Sequence, residues 1–298
     1  MADLTRSAAQ LPAQPRLRFS WVWLGVVPFF IFIIAFLFYP ATSIVVQTFV
    51  DPRHGLTFQN ILSLNKPFIV TSYLYTIELS LVTALGGGLL GFLLAYAITI
   101  GKLPPFVRSA VLTFSGVASN FAGIPLAFAF IATIGQLGIV TQFLRSFGIA
   151  LYPNFSLYSF WGLSLTYIYF QIPLMVLVLA PALDGLKREW REASENLGAT
   201  TFQYWRYIGL PILFPSILGA MALLFGNAFG AHATAFALTG GASQSSVVTI
   251  LIGAQLSSDA LSDPGLGNAL SFGMIVIMVI TIALYSQMQR RAERWMKQ

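Results

Sequence analysis

Six long apolar segments dominate this sequence of 298 residues and restrict what it can fold into. Hydrophobic residues make up 57% of the chain and charged residues only 9%, whereas a soluble domain carries about 25% charged residues. An apolar run of about 20 residues is long enough to cross a bilayer as a helix. The sequence therefore predicts an all-α integral membrane protein with about six transmembrane helices. The predicted spans are Trp21–Phe38, Tyr73–Ile100, Ser109–Ile134, Phe160–Leu183, Pro211–Leu238 and Ala269–Met288.

A basic, proline-containing segment precedes the first apolar run, an arrangement that secretory signal peptides share. The run is longer than the roughly 7–15-residue core of a signal peptide, and no small-x-small cleavage pattern closes it. We therefore expect a retained first helix. The chain then divides into an N-terminal tail over residues 1–20, a six-helix transmembrane domain over 21–289 and a basic tail over 290–298.

The basic residues predict how the helices are oriented. In the six-span plan, 13 of the 16 Lys and Arg residues fall on one side of the membrane, and Arg53, Lys66 and Arg145 fall on the other. Cytoplasmic segments carry an excess of Lys and Arg because of the positive-inside rule. Both termini and residues 187–206 are therefore predicted to be cytoplasmic. The same distribution, in short segments beside spans, argues against nucleic-acid binding despite the net charge of +6.

The most charged internal segment, residues 187–206, lies between the fourth and fifth predicted spans. Its first half has apolar residues at helical spacing, which predicts a short amphipathic helix. Gly198 supplies the left-handed residue that ends a helix without a side-chain clash, and Thr200 with Gln203 forms the pattern of a capping box. Such a helix, held between two spans, can fit a groove on a partner protein. The apolar stripe comprises Leu186, Trp190, Ala193 and Leu197.

This segment also resembles a known family. The pattern Glu-Ala-Ala, three residues, Gly, nine residues, Ile-x-Leu-Pro is the signature of the permease subunits of binding-protein-dependent ABC importers, the type I importers with the MetI-like fold. The chain departs from it only at Ser194, where the family has a third small residue. The matching residues are Glu192, Ala193, Ser194, Gly198, Ile208, Leu210 and Pro211.

The resemblance implies a function and a set of partners. In that family the segment is a cytoplasmic coupling helix, so Glu192 to Gly198 would contact an ATP-hydrolysing subunit, present in two copies. ATP and Mg²⁺ would bind that subunit, and no cofactor would bind this chain, which contains no Walker lysine motif of its own. A second permease, identical or homologous, would complete the pathway, and a soluble binding protein would deliver the substrate. The implied location is the bacterial inner membrane, with lipid around the spans.

The resemblance extends less far to the substrate. Leu197-Gly198-Ala199 and Gly240-Gly241 make the chain more similar to the polyamine, iron, thiamine and phosphonate importers than to the sugar importers. The implied substrate is a small polar or cationic solute such as a polyamine.

Four polar residues in the predicted spans are candidates for the substrate pathway, because polar side chains are expensive in lipid. Asn120 lies in the third span, and Asn227 and His232 lie in the fifth. His232 can equally serve as a hydrogen-bonding residue between helices. Glu78 is the only carboxylate in a predicted span, but it lies near the outer end, where headgroup water can reach it.

Two other functions, and one other interpretation of residues 187–206, are compatible with an apolar chain of this length. An ion-coupled secondary transporter needs intramembrane charges and usually inverted repeats, and a membrane hydrolase needs a paired nucleophile and base. Residues 187–206 can also be an amphipathic segment resting on the membrane surface. The adjacent genes would discriminate between these functions, because an ABC permease needs an ATPase, a partner permease and a binding protein.

Overall fold

The computed structural model describes residues 22–51, 55–101, 103–241, 247–257 and 263–295. The predicted tail over 1–20 and Arg53 lie outside these residues. Six segments of the described part are long and apolar enough to cross a membrane, as predicted. They are Gly25–Thr48, Pro67–Ile100, Ile124–Ser146, Phe160–Asp184, Thr201–Phe229 and Pro264–Arg291.

The first half of the chain forms two short antiparallel strands and seven α-helices within the described residues. The strands are β1 (Val50–Asp51) and β2 (Gly55–Leu56). The helices are α1 (Val22–Ile33), α2 (Tyr39–Thr48), α3 (Gln59–Leu62), α4 (Pro67–Ile100), α5 (Pro105–Asn120), α6 (Ile124–Ile134) and α7 (Ile139–Ser146). A π-helical turn, Ile34–Phe38, joins α1 to α2, and a 3₁₀ turn, Ser63–Asn65, precedes α4.

The second half contains seven further α-helices and no strand within its described residues. Its helices are α8 (Phe160–Asp184), α9 (Arg188–Asn196), α10 (Thr201–Tyr204), α11 (Leu210–Phe229), α12 (Ala233–Thr239), α13 (Val248–Leu256) and α14 (Pro264–Trp295). A second π-helical turn, Trp205–Gly209, joins α10 to α11. Helix α14 continues to Trp295, through most of the predicted C-terminal tail over 290–298.

The first span is longer than its sequence predicts, because Pro40 does not end it. A proline inside a regular helix removes one backbone hydrogen bond and clashes with the carbonyl group four residues earlier. The π-helical turn before Pro40 widens the backbone, and the Tyr39 N–H donates to the Ile34 carbonyl, five residues back. The helix therefore continues to Thr48, ten residues beyond the predicted end at Phe38. None of the apolar window of this span is buried against the rest of the chain.

The predicted third and fifth spans are each interrupted, which corrects their description as continuous helices. Helix α5 ends at Asn120, and α6 begins at Ile124 after Gly123, whose φ of 74° and ψ of −145° are adopted almost only by glycine. Helix α11 ends at Phe229, and α12 begins at Ala233. We call residues 121–123 and 230–232 the two breaks. Apart from His232, both consist of small or apolar residues, so hydropathy alone does not reveal them.

The centre of the bundle is the contact between α4 and α8. Glycines let these helices approach until their backbones almost touch, as is common where lipid gives helices no hydrophobic drive to associate. A Cβ atom placed on Gly87 would lie 2.3 Å from Cβ of Gln171, and one on Gly91 would lie 2.5 Å from Cβ of Met175. Helix α5 packs on another side of α8, and α11 packs on α4.

Candidate functional site

The segment between the fourth and fifth spans is a helix, a tight turn and a second helix, as predicted. Helix α9 carries two ion pairs between residues four apart on its exposed side. Arg188 Nε lies 2.7 Å from Glu192 Oε1, and Arg191 Nε lies 3.0 Å from Glu195 Oε1. Ion pairs between residues four apart stabilise a helix even when it makes few tertiary contacts. The segment is therefore shaped largely by its own residues.

Two capping motifs fix the turn after α9. Gly198 has a φ of 78°, in the left-handed region. The Ala199 N–H donates to the Ser194 carbonyl and the Gly198 N–H to the Glu195 carbonyl, both at 3.0 Å, which is the Schellman pattern. The predicted capping box is present: the Thr200 N–H donates to Gln203 Oε1 at 2.7 Å, and the Gln203 N–H donates to Thr200 Oγ1 at 3.2 Å. The turn thus sets the direction of α9 relative to α11.

The predicted coupling residues fall on different sides of this segment. Glu192 and Ala193 are exposed, whereas Ser194 is buried, and its hydroxyl donates to the Arg191 carbonyl at 2.7 Å. Leu197 at the end of the apolar stripe is 88% exposed. Leu210 and Pro211 begin α11, while Ile208 lies in an apolar groove of about 420 Å³ together with Trp190 and Tyr204. An apolar stripe that the chain leaves uncovered is a surface suited to another protein.

The two breaks meet in space and form a second, more polar site. The Gly123 N–H donates to Oγ1 of Thr234 at 2.8 Å, and Thr234 is buried. Two hydroxyls, of Tyr167 and Thr249, donate to the Ala231 carbonyl at 3.1 and 3.2 Å. These bonds satisfy backbone groups that the broken helices leave free. Beside them lies a cavity of about 370 Å³, which we call the break cavity.

The break cavity contains two of the four predicted pathway residues. Its polar lining residues are Ser119, Asn227, His232 and Thr234. The His232 ring stacks on Phe236 with centroids 5.5 Å apart, and its Nδ1 is buried without a hydrogen-bond partner among the described residues. The described polar lining therefore consists of an amide, an imidazole and hydroxyls, and it contains no carboxylate.

The structure places the other two candidates elsewhere. Asn120 is exposed at the end of α5, where Nδ2 donates to the Gly116 carbonyl at 2.9 Å, and it does not line the cavity. Glu78 is on an exposed face of α4, also away from the cavity lining. Ser119 and Thr234 were not among the predicted pathway residues, because single hydroxyl residues in apolar helices usually bond to the preceding turn and carry no distinct signal.

Residues 79–298 match the family described as "Binding-protein-dependent transport system inner membrane component". The chain belongs to this family. It is a permease subunit of an ABC importer and a multi-pass protein of the inner membrane, as its motif and apolar spans predict. This membership decides against an ion-coupled secondary transporter and a membrane hydrolase. Members of the family are membrane permeases with a separate ATPase subunit.

Curated relatives of this permease carry two substrate descriptions. The chain is 25% identical over 221 residues to a probable sulfate transport system permease protein of Prototheca wickerhamii, which is 74% of this chain and 82% of that one. It is 29% identical over 163 residues to a spermidine/putrescine transport system permease protein of Haemophilus influenzae, covering 54% of this chain and 55% of that one. Several further relatives are also described as sulfate permeases.

A solved structure shows the same fold. The permease superposes with a TM-score of 0.70 and 18% identity on a chain of a bacterial ABC transporter involved in the import of the acidic polysaccharide alginate. The superposition covers 91% of this chain and 95% of that one. The all-α fold with six spans is confirmed.

Proposed function

We propose that this permease forms half of a pathway for a small oxyanion, with sulfate as the substrate that fits better than a polyamine. The observation that carries the proposal is the break cavity, whose described polar lining offers an amide, an imidazole and hydroxyls but no carboxylate. Sulfate presents only hydrogen-bond acceptors and is matched by such donors. A polyamine presents only cationic donors and would need acceptors of negative charge. The sulfate descriptions of most of the relatives named above support this choice.

The polyamine expectation remains a second candidate because one relative carries that description. Glu78 could then take part in binding, since it is exposed on α4. Uptake measured with both substrates through the reconstituted importer separates the two. Stimulation by a putrescine-loaded binding protein, with no response to sulfate, would contradict the oxyanion proposal.

We expect Asn227→Ala and His232→Ala to reduce sulfate-stimulated ATPase activity about tenfold or more while the complex still assembles. A hydrogen bond to a charged group contributes about 1.5–3 kcal/mol, and about 1.4 kcal/mol corresponds to a factor of ten. The measurements are the yield of the intact complex and its ATPase activity with and without loaded binding protein. Ser286→Ala is the control, because this exposed serine on α14 bonds only to the Ala283 carbonyl. Normal activity in both cavity variants would remove the cavity from the pathway.

We further propose the partners that the family resemblance implies. Two copies of an ATPase, which bind ATP and Mg²⁺, would contact the exposed surface of α9 and its turn, including Glu192, Ala193 and Gly198. A second permease, identical or homologous, would supply the other half of the pathway, and a soluble binding protein would deliver the substrate. The uncovered apolar stripe on α9 supports the ATPase contact, since Trp190, Ala193 and Leu197 are exposed.

The proposed orientation, with both termini and α9 in the cytoplasm, predicts the outcome of thiol labelling. The natural chain has no cysteine, so single cysteines can be introduced without background. Glu189 and Arg145 are suitable positions, because both are exposed and neither forms an ion pair with another of the described residues. An impermeant reagent should label Arg145→Cys in intact cells and Glu189→Cys only after permeabilisation. The reverse pattern would overturn the orientation.

A further inference from the structure

An ion pair joins the ends of α5 and α8 on the side of the bundle that carries α9. Arg108 Nη2 donates to Asp184 Oδ2 at 2.5 Å. The two side chains are 39% and 43% exposed. Nε of Arg108 is buried and has no hydrogen-bond partner among the described residues. Asp184 is therefore the one side-chain anion that the structure brings to this guanidinium in the described part of the chain.

Each member of the pair occupies an unfavourable end of its own helix. Asp184 is the last residue of α8, where the helix dipole is negative, and Arg108 lies in the first turn of α5, where the dipole is positive. Each charge is stabilised instead by the end of the other helix and by the opposite charge there. This mutual stabilisation is therefore lost when the two helix ends separate. Local helix stability does not explain why these charges occur here.

The position of the pair connects two sites that are far apart in the molecule. Only Gly185, Leu186 and Lys187 separate Asp184 from α9. Helix α5 runs from Arg108 through Ser119, which lines the break cavity, to the break at residues 121–123. Its 16 residues span about 24 Å. A displacement of α9 that reaches Asp184 can therefore move α5, and with it one wall of the cavity.

Static stabilisation is a weak explanation for the pair. An ion pair with this much exposure gains little, because water screens the charges and the side chains lose conformational freedom. The buried contacts of α8 with α4 and α5 hold the helices together without it. The pair contributes little to stability, but it forms only when the two helix ends lie side by side. It is therefore suited to transmit a change in their relative position.

We propose that Arg108 and Asp184 are positioning residues that couple the ATPase-facing helix α9 to the break cavity through α5. The proposal rests on the proposed function, since it takes the ATPase to act at α9. The pair holds the start of α5 to the base of α9 in the coupled state of the transporter. Loss of either charge separates substrate-dependent ATP hydrolysis from the movement of the cavity wall.

The test is a charge-swap cycle on the complete reconstituted complex. The variants Arg108→Asp and Asp184→Arg should each reduce stimulation by sulfate-loaded binding protein about two- to fivefold, the range expected for an exposed pair. Basal ATPase activity and the yield of the complex should stay near the wild-type values. The double variant should recover most of the lost stimulation, because the opposite charges again face each other. Arg145→Asp, on the far side of the bundle, is the matched control and should change nothing.

The outcomes separate this inference from the proposed function. If the wild-type complex is stimulated and both single variants are stimulated equally well, the positioning role is wrong and the function stands. A parallel loss of yield and basal activity, without recovery in the double variant, would also contradict the role, because the pair would then be merely structural. A wild-type complex without stimulation by sulfate or putrescine would reject the proposed function and this inference together.

Discussion

Gly198→Val is expected to abolish transport while all six spans still insert. Residue 198 has a φ of 78°, and a side chain with a Cβ atom costs about 1–2 kcal/mol in this left-handed region. Space is not the cause, since a Cβ atom at this position would meet no atom within 4 Å. The strain instead opens the Schellman turn and changes the direction of α9, so that Glu192 and Leu197 no longer present one surface. Uptake and co-purification of the ATPase measure the effect.

Gly198→Asn is the matched variant for this experiment. Asparagine adopts the left-handed conformation more readily than other non-glycine residues, so this variant should keep a large part of its transport activity. A transport loss as severe in Gly198→Asn as in Gly198→Val would mean that the open space beside residue 198, and not its backbone conformation, is what the partner requires. Full activity of Gly198→Val would remove the turn from the coupling mechanism.

Gly91→Val should prevent the chain from reaching its folded state in the membrane. A Cβ atom on Gly91 would lie 2.5 Å from Cβ of Met175 and 2.7 Å from the backbone oxygen of Ile172. A backbone atom cannot move aside as a flexible side chain can, so α4 and α8 must separate at the centre of the bundle. We expect a loss of about 3 kcal/mol or more, measured as a fall in monodisperse yield and thermal stability in detergent.

A glycine in open surroundings controls for the change of residue type. Gly116 is also within a helix, α5, and a Cβ atom there would meet no atom within 4 Å. Gly116→Val should therefore keep its yield and thermal stability close to those of the unmodified chain. Equal losses in both variants would show that valine in a helix, and not the contact between α4 and α8, causes the defect.

The features that sequence reasoning predicted correctly depend on neighbouring residues. Apolar runs mark the membrane spans, and the fourth span ends within one residue of its predicted boundary. Gly198 and the pair Thr200–Gln203 form the expected turn, because each capping interaction involves residues at most five apart. Local chemistry decides these elements before any tertiary contact forms.

The features that were missed depend on residues far apart in the sequence. The break at residues 121–123 is stabilised by Thr234, 111 positions away. Asn120 stays a predicted pathway residue; in the structure it is exposed, and its amide donates to the Gly116 carbonyl of its own helix. Ser119, one position earlier, lines the break cavity instead. A shift of one residue turns a helical side chain by about 100°, so polarity alone cannot choose between the two.

The first span leaves its apolar surface uncovered by the rest of the chain. The family match begins only at residue 79, after α1, α2 and the strand pair, and none of the apolar window in Gly25–Thr48 is buried in the bundle. Its attachment is confined to the end near Thr48, where α2 packs on α14 and Asn268 Nδ2 donates to Gln47 Oε1 at 3.0 Å. The apolar surface of the first span is therefore left to contact lipid or another protein.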